Sequence, residues 1–188
     1  LRINLEIKYL KPEEPDYPPA LLASGIFSPP PVIAYMGNLA LLKERKTALF
    51  CSVKCPGCEI IKTLDYAMKL RNEGKTLISG FHSPVEKECF NIYLRGDAPV
   101  IVCPARGLEE MRIKREWRKP LKAGKMLILS PFTALERRLK RDLAWKRNLF
   151  AAAIAEEIVI AYAGKGSRTE RLGEDVESWG KEIRSMEE

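Results

Sequence analysis

The sequence predicts an α/β protein, Rossmann-like, with a mostly parallel sheet and helices on both faces. Three observations predict it. Six short apolar runs recur, at residues 47–53, 76–80, 98–103, 126–130, 157–161 and 182–185. Each ends in a polar turn bearing glycine or serine and gives way to an amphipathic stretch. Helix-start signals stand between the runs, as at Ser83-Pro84-Val85-Glu86. Strands alternating with helices build parallel sheets covered on both faces. Such sheets bind ligands beyond the carboxyl ends of their strands. Attention therefore falls on five turns, at residues 51–57, 80–84, 103–107, 130–133 and 163–169.

Residues 1–46 read as a lead-in arm packed on the core, because Pro12, Pro15, Pro18, Pro19, Pro29, Pro30 and Pro31 break any long helix. A short helix is expected near 21–24, and a strand at 32–35 ahead of the turn Gly37-Asn38. The core domain is expected over 47–188. Its first strand, 47–53, leads through a turn into a helix from Cys58 to about Arg71, whose apolar face is Ile60, Ile61, Leu64, Ala67, Met68 and Leu70. Strand 76–80 follows. At 83–86 a serine cap, a first-turn proline and a returning glutamate agree on a helix running to about Leu94. Strand 98–103 leads into a basic segment ending near Lys119, and Gly124 stops the next helix before strand 126–130. Thr133-Ala134-Leu135-Glu136 reads as a second capping box, opening a long helix to about Ala155. Strand 157–161, a helix near 169–179 and a last strand at 182–185 complete the pattern.

The 188 residues bound this as one domain, or one domain with a small appendage. The longest apolar stretch, near 149–163, is interrupted by Glu156 and Glu157, so no bilayer span is expected. Five cysteines and the absence of a signal-peptide pattern point to reduced thiols in a cytoplasm. The net charge is +7, and residues 106–147 carry 14 basic residues against 5 acidic, while 156–188 is net acidic. A basic middle is the footprint of a polyanion partner, although basic helices also merely solvate a surface.

Cys51, Cys55 and Cys58 have the C-x3-C-x2-C spacing of enzymes that hold a four-iron cluster. Cys51 falls inside a strand, and the α/β units are too few for the partial barrel of those enzymes. Zinc with Cys103 as fourth ligand is the parallel alternative. Neither is adopted; no metal and no cofactor are expected. Cys55-Pro56-Gly57-Cys58 is also a redox spacing, in which the helix start would lower the Cys55 pKa. The other use of the turn is anion binding: backbone N–H groups at Gly57, with Ser52 and Lys54 beside them, accept a phosphate. The glycines do not make a dinucleotide fingerprint or a P-loop. His82, the one histidine, follows Gly80 at a strand end, but no Ser-His-Asp set is legible, and Glu86 and Glu88 read as capping and solvated residues. Small residues at Ala151, Ala152 and Ala153 let the long helix press on the sheet, with Arg147 and Asn148 one turn earlier, where a phosphate and a sugar or base edge could be met.

These pieces together resemble the DNA-processing protein A (DprA/Smf) family, within the LOG-like Rossmann group. The resemblance covers most of 17–188. It rests on Tyr17-Pro18 with Leu21, on Pro31-Val32-Ile33-Ala34-Tyr35-Met36-Gly37-Asn38 with Leu41-Leu42, on Ala48-Leu49-Phe50-Cys51-Ser52 and on Ser79-Gly80-Phe81. It rests also on Lys146-Arg147-Asn148 and on Gly166-Ser167-Arg168-Thr169. Departures mark a divergent subfamily. The family's G-[ST]-R turn reads Cys51-Ser52-Val53, leaving Lys54 to substitute for its arginine. Its glycine-isoleucine-aspartate and histidine read Pro84-Val85-Glu86 and Phe90. Its second arginine is Leu149, and its late glutamate is replaced near Tyr162.

The resemblance implies a non-enzymatic protein that binds single-stranded DNA in DNA processing, uptake and recombination. It implies a RecA-type recombinase as partner and a homodimer as a possible assembly. The expected phosphate or nucleic-acid contacts are Ser52, Lys54, Gly57, Gly80, His82, Ser83, Arg106, Arg147, Asn148 and Ser167. Lys114, Arg115 and Arg118 would extend the track, and Trp117 or Phe81 would stack on a base. The alternative is a LOG-like nucleotide sensor or nucleotide-cleaving enzyme using the same crevice.

Overall fold

A computed structural model describes residues 6–23, 30–136, 141–184 and 186. Among these residues eight strands form one sheet: β1 (Lys8–Leu10), β2 (Ile33–Gly37), β3 (Lys46–Cys51), β4 (Thr76–Ser79), β5 (Val100–Val102), β6 (Met126–Ser130), β7 (Glu157–Tyr162) and β8 (Ile183–Arg184). Their spatial order is β1-β2-β6-β5-β4-β3-β7-β8. The six strands from β6 to β8 are parallel, while β2 runs antiparallel to both of its neighbours. The chain winds outward from β3 to β6 and then returns to lay β7 on the far side of β3. That reversal is the topological switch point of a doubly wound sheet.

Five α-helices cover the sheet: α1 (Gly57–Asn72), α2 (Pro84–Leu94), α3 (Arg118–Lys122), α4 (Arg141–Ile154) and α5 (Arg168–Ser178). The period-two pattern of the strands divides the core into two layers. Leu49, Cys51, Leu77, Val100, Val102, Met126, Ile128 and Val159 face α1, α2 and α3 through Ala67, Leu70, Cys89, Tyr93 and Leu121. Ala48, Phe50, Ile78, Ile101, Leu127, Leu129 and Ile158 face α4 and α5 through Phe150, Ala151, Ala152, Ile154, Leu172 and Val176. The alanine run of α4 is fully buried, so this helix lies close against the strands.

The amino ends of the strands carry buried ions with complete partner sets. Lys46, 2% exposed, donates from Nζ to the carbonyls of Leu42 and Glu44 and to Glu156 Oε1, at 2.6–3.0 Å. Glu157 accepts from Arg45, Thr47 and Arg184. Burial pushes the Glu157 carboxyl up, but those hydrogen bonds and cations outweigh it, and its pKa ends below the ordinary value.

The predicted elements are recovered with three corrections. Residues 8–10 add β1, a strand the arm was not expected to hold. The helix near 21–24 is a single 3-10 turn, Pro19–Leu21; residue 24 lies outside the described residues. The long helix does not begin at Thr133. Thr133 N and Oγ1 do donate to Glu136 Oε2, at 2.9 and 2.6 Å, but residues 133–136 form a turn and α4 starts at Arg141. Residues 137–140 of that expected helix, and residue 185 of the last expected strand, lie outside the described residues.

Candidate nucleic-acid interface

At the switch point the β3–β7 pairing slips between Phe50 and Cys51, so that Cys51 faces Tyr162. Such a bulge redirects the residues that follow it. Ser52 N donates to Tyr162 O at 2.9 Å, and Ser52 Oγ donates to Ser167 Oγ at 3.1 Å while accepting from Gly164 N at 3.0 Å. Ser167 in turn caps α5 by accepting from Glu170 N at 3.2 Å. The two serines thus tie the end of β3 to the start of α5. α1 opens after Pro56 with no side-chain cap, leaving Gly57 exposed at its first turn.

The β4–α2 turn is set by Glu86. The expected capping box is present: Ser83 Oγ accepts from Glu86 N at 3.2 Å. Glu86 is 5% exposed, however, not solvated. Its Oε1 accepts from Cys51 N at 3.0 Å, and its Oε2 accepts from His82 N at 2.8 Å and Ser83 N at 3.4 Å. One internal carboxylate therefore holds the ends of β3 and β4 and occupies amides that a phosphate was expected to meet. Phe81, in the same turn, has φ of 49°, a left-handed conformation costing about 1–2 kcal/mol for a side-chain-bearing residue. Its buried ring stacks on Phe90 with centroids 4.6 Å apart.

Arg147 rises from α4 behind this turn and is only 4% exposed. Its Nη1 donates to Cys103 O at 3.0 Å and its Nε to Asn148 Oδ1 at 2.7 Å. The guanidinium lies directly over Gly80, where any Cβ would collide with it, so glycine is required there for close approach. Burial lowers the Arg147 pKa, and the nearby charge of Glu86 works in the opposite sense. Arginine Nε can only donate, so the Asn148 oxygen must face Arg147. The Asn148 Nδ2 amino group is then the part left to donate into solvent or ligand.

These groups surround a cleft of about 500 Å³, lined by Cys51, Val53, His82, Ser83, Glu86, Ala105, Ala144, Trp145, Arg147, Asn148, Arg168 and Thr169. Of the residues singled out in the sequence, His82, Ser83, Arg147 and Asn148 meet in this cleft. Gly80 supports Arg147, and Ser52 and Ser167 clasp beside it. Lys54 and Gly57 sit exposed on the β3–α1 turn, off the cleft wall. Arg106 is on the loop after β5 and does not line the cleft; its Nε is buried and among the described residues has no hydrogen-bond partner, and its carbonyl accepts from Ser130 Oγ at 2.7 Å.

The two aromatic residues expected to stack on a base are not placed to do so. Phe81 is sandwiched as described, and the Trp117 ring meets Phe90 edge-on at 5.5 Å in the layer under α2. Trp145, not singled out in the sequence, is the aromatic residue of the cleft wall, with the Arg171 guanidinium 5.3 Å from its ring centroid. A half-buried tryptophan at helical spacing looks like core packing from sequence alone. Arg168 and Thr169 at the start of α5 were visible only as neighbours of Ser167.

All five cysteines are free thiols. Among the described residues no three His, Cys, Asp or Glu side chains gather as a metal site. Burial pushes the Cys103 thiol up to about 12 and the Cys51 thiol higher still. Cys55 is also raised by burial, against the expectation that the helix start would lower it. Desolvation outweighs the lowering hydrogen bond with Cys51 there, and Glu59 and Cys58 add to the rise.

A doubly wound α/β sheet whose polar cleft opens at the switch point, with a buried arginine on its wall, defines a protein of the Rossmann-like class. The family model of DNA recombination-mediator protein A matches residues 8–170, and the chain belongs to that family. DNA processing protein A from Streptococcus pneumoniae has the same fold, with a TM-score of 0.77 at 22% identity over 95% of this chain and 62% of that one. The protein of the same name from Helicobacter pylori, described for its single-stranded DNA binding mode, gives 0.74 at 17% identity over 96% and 80%. The chain therefore spans less than two thirds of the streptococcal protein. No curated protein matches the sequence. Among the described residues no helix is long and apolar enough to cross a membrane.

Proposed function

We propose that the chain binds single-stranded DNA at the switch-point cleft, without catalysis, in DNA processing and recombination. The observation that carries this reading is Arg147. It is a buried cation on the wall of an open cleft, held by Cys103 O and Asn148, and among the described residues Nη2 has no protein partner. A phosphate is the ligand chemistry that such a group recognises. Asn148 Nδ2 would donate to a base or sugar oxygen, and Trp145 would offer its ring to a base. Lys54, Gly57 and Arg106 would meet flanking phosphates. The Ser52 hydroxyl lies against Ser167 and Gly164 rather than a base, which supports binding without turnover. A RecA-type recombinase as recipient of the strand, a homodimeric assembly and a cytoplasmic setting belong to the same proposal and rest on the family resemblance alone.

The test is a fluorescence-anisotropy titration with a single-stranded oligonucleotide at several salt concentrations. Arg147→Ala should weaken binding and reduce the salt slope by about 0.7, the share of one phosphate on a single strand. Trp145→Ala, checked for folding by circular dichroism, should weaken it by about tenfold. Unchanged affinity and slope in both folded variants would refute the reading. Stabilisation by a mononucleotide but not by the oligonucleotide would favour the sensor alternative instead.

A further inference from the structure

The crossover from β5 to β6 carries Lys114, Arg115, Arg118, Lys119, Lys122 and Lys125, all exposed. Among the described residues none of the six makes an ion pair. Lys114 alone has a ring partner, with Nζ 5.7 Å from the Trp117 centroid. Arg118 and Lys122 are four residues apart on α3, and Arg115 and Lys119 are four apart across its start. Like charges at that spacing repel, by a few tenths of a kcal/mol per pair. The first turn of α3 holds no acidic residue to offset them.

This stripe does not continue the cleft. After α3, Gly124 O accepts from Asn38 Nδ2 at 2.9 Å, and Asn38 N donates to Met126 O at 3.2 Å, beside the first residue of β6. The stripe therefore ends at the amino edge of the sheet, whereas the cleft opens at the carboxyl edge. A five-residue strand is about 16 Å long, and β6 stands three strands, about 14 Å, from β3. Trp117, half-buried and edge-on against Phe90, pins the crossover to the helix layer.

We propose that this stripe is a second contact surface for a phosphodiester backbone, separate from the cleft. It would hold a further segment of the bound strand. The inference rests on the reading of the cleft as a single-strand site. Regularly spaced fixed anions are the charge complement of an unpaired cationic stripe, and their binding releases counterions while relieving the repulsion between the cations. An acidic protein or an anionic membrane would need apolar contacts as well, and the exposed side of α3 offers Arg118, Lys119 and Lys122 instead.

The test uses the full chain and the triple variant Arg118→Gln, Lys119→Gln, Lys122→Gln. Because all three side chains are exposed, the melting temperature should not fall. Binding is titrated against salt with single strands of about 6 and about 30 nucleotides, the shorter near the small end of known site sizes. For the short strand the variant should match the parent. For the long strand it should bind more weakly, with a salt slope smaller by about 2, from three lost contacts at about 0.7 each. An unchanged long-strand slope overturns the proposal, and so does loss of binding to phosphatidylserine vesicles in its place. A parent that binds neither length overturns the cleft reading and this one with it. A parent that binds both, with a variant indistinguishable from it, overturns the stripe alone.

Discussion

The two edges of the sheet treat buried cations in opposite ways. At the amino edge, Lys46 has three oxygen acceptors, and Glu157 is matched by two arginines and a threonine. At the carboxyl edge, Arg147 is as deeply buried, yet among the described residues it bonds only through Nη1 and Nε, and it lines a cleft. Saturated ions hold the strand starts together and leave nothing for a ligand. An incompletely satisfied ion keeps its desolvation cost and retains an interaction for whatever enters. On the proposed reading, the difference separates residues kept for the fold from residues kept for binding.

The sharpest way to break this contrast is Lys46→Met. It removes the ammonium from three acceptors and should cost about 2–3 kcal/mol in urea denaturation, with Glu156 half exposed and able to rehydrate. Oligonucleotide affinity of the folded fraction should not change. Gly80→Ala attacks the other edge. Its methyl group would displace the Arg147 guanidinium, costing about 1–3 kcal/mol of stability and weakening single-strand binding in the same variant. Retained affinity would show that Arg147 does not meet the ligand. The smallest effect is expected from Glu157, whose folded pKa lies below its unfolded value. Its stabilising contribution is complete above the ordinary glutamate pKa of about 4.3 and is lost as pH falls from there through the lower folded pKa. Glu157→Gln should therefore remove part of the acid-side decline of stability while leaving the curve near neutrality flat.

The sheet was legible because its strands announce themselves by period and burial. Residues 126–130 were placed without error, since Met126, Leu127, Ile128 and Leu129 are all buried between helices on both faces. β1 was not legible: Lys8, Tyr9 and Leu10 are too few to show a period, and Tyr9 is half exposed. Thr133 and Glu136 show how a true local signal misleads. Their side chains bond as in a helix start, but they close a turn on the β6–α4 connection instead. At the site, Arg147 and Asn148 were singled out beside the small-residue run before the family resemblance pointed to the same pair, and those small residues were read correctly as the contact face. Glu86 could not have been read, because a capping glutamate looks the same whether its carboxylate faces water or reaches the Cys51 amide across two strands. Trp145 was hidden for a similar reason: its neighbours, not its position in the helix, make it part of the cleft wall.

Lys181 reaches back from the approach to β8 and donates to the carbonyls of Ala152, Ala153 and Ala155, at 2.7–2.8 Å, where α4 ends. A single ammonium thus bolts the tail of the chain to the far end of the helix whose middle bears Arg147. Loosening that bolt would let α4 slide along the sheet, and a guanidinium seated on a bare glycine tolerates almost no slide. The residues least like a binding site, at the last edge of the fold, would then govern how accurately the site is aimed.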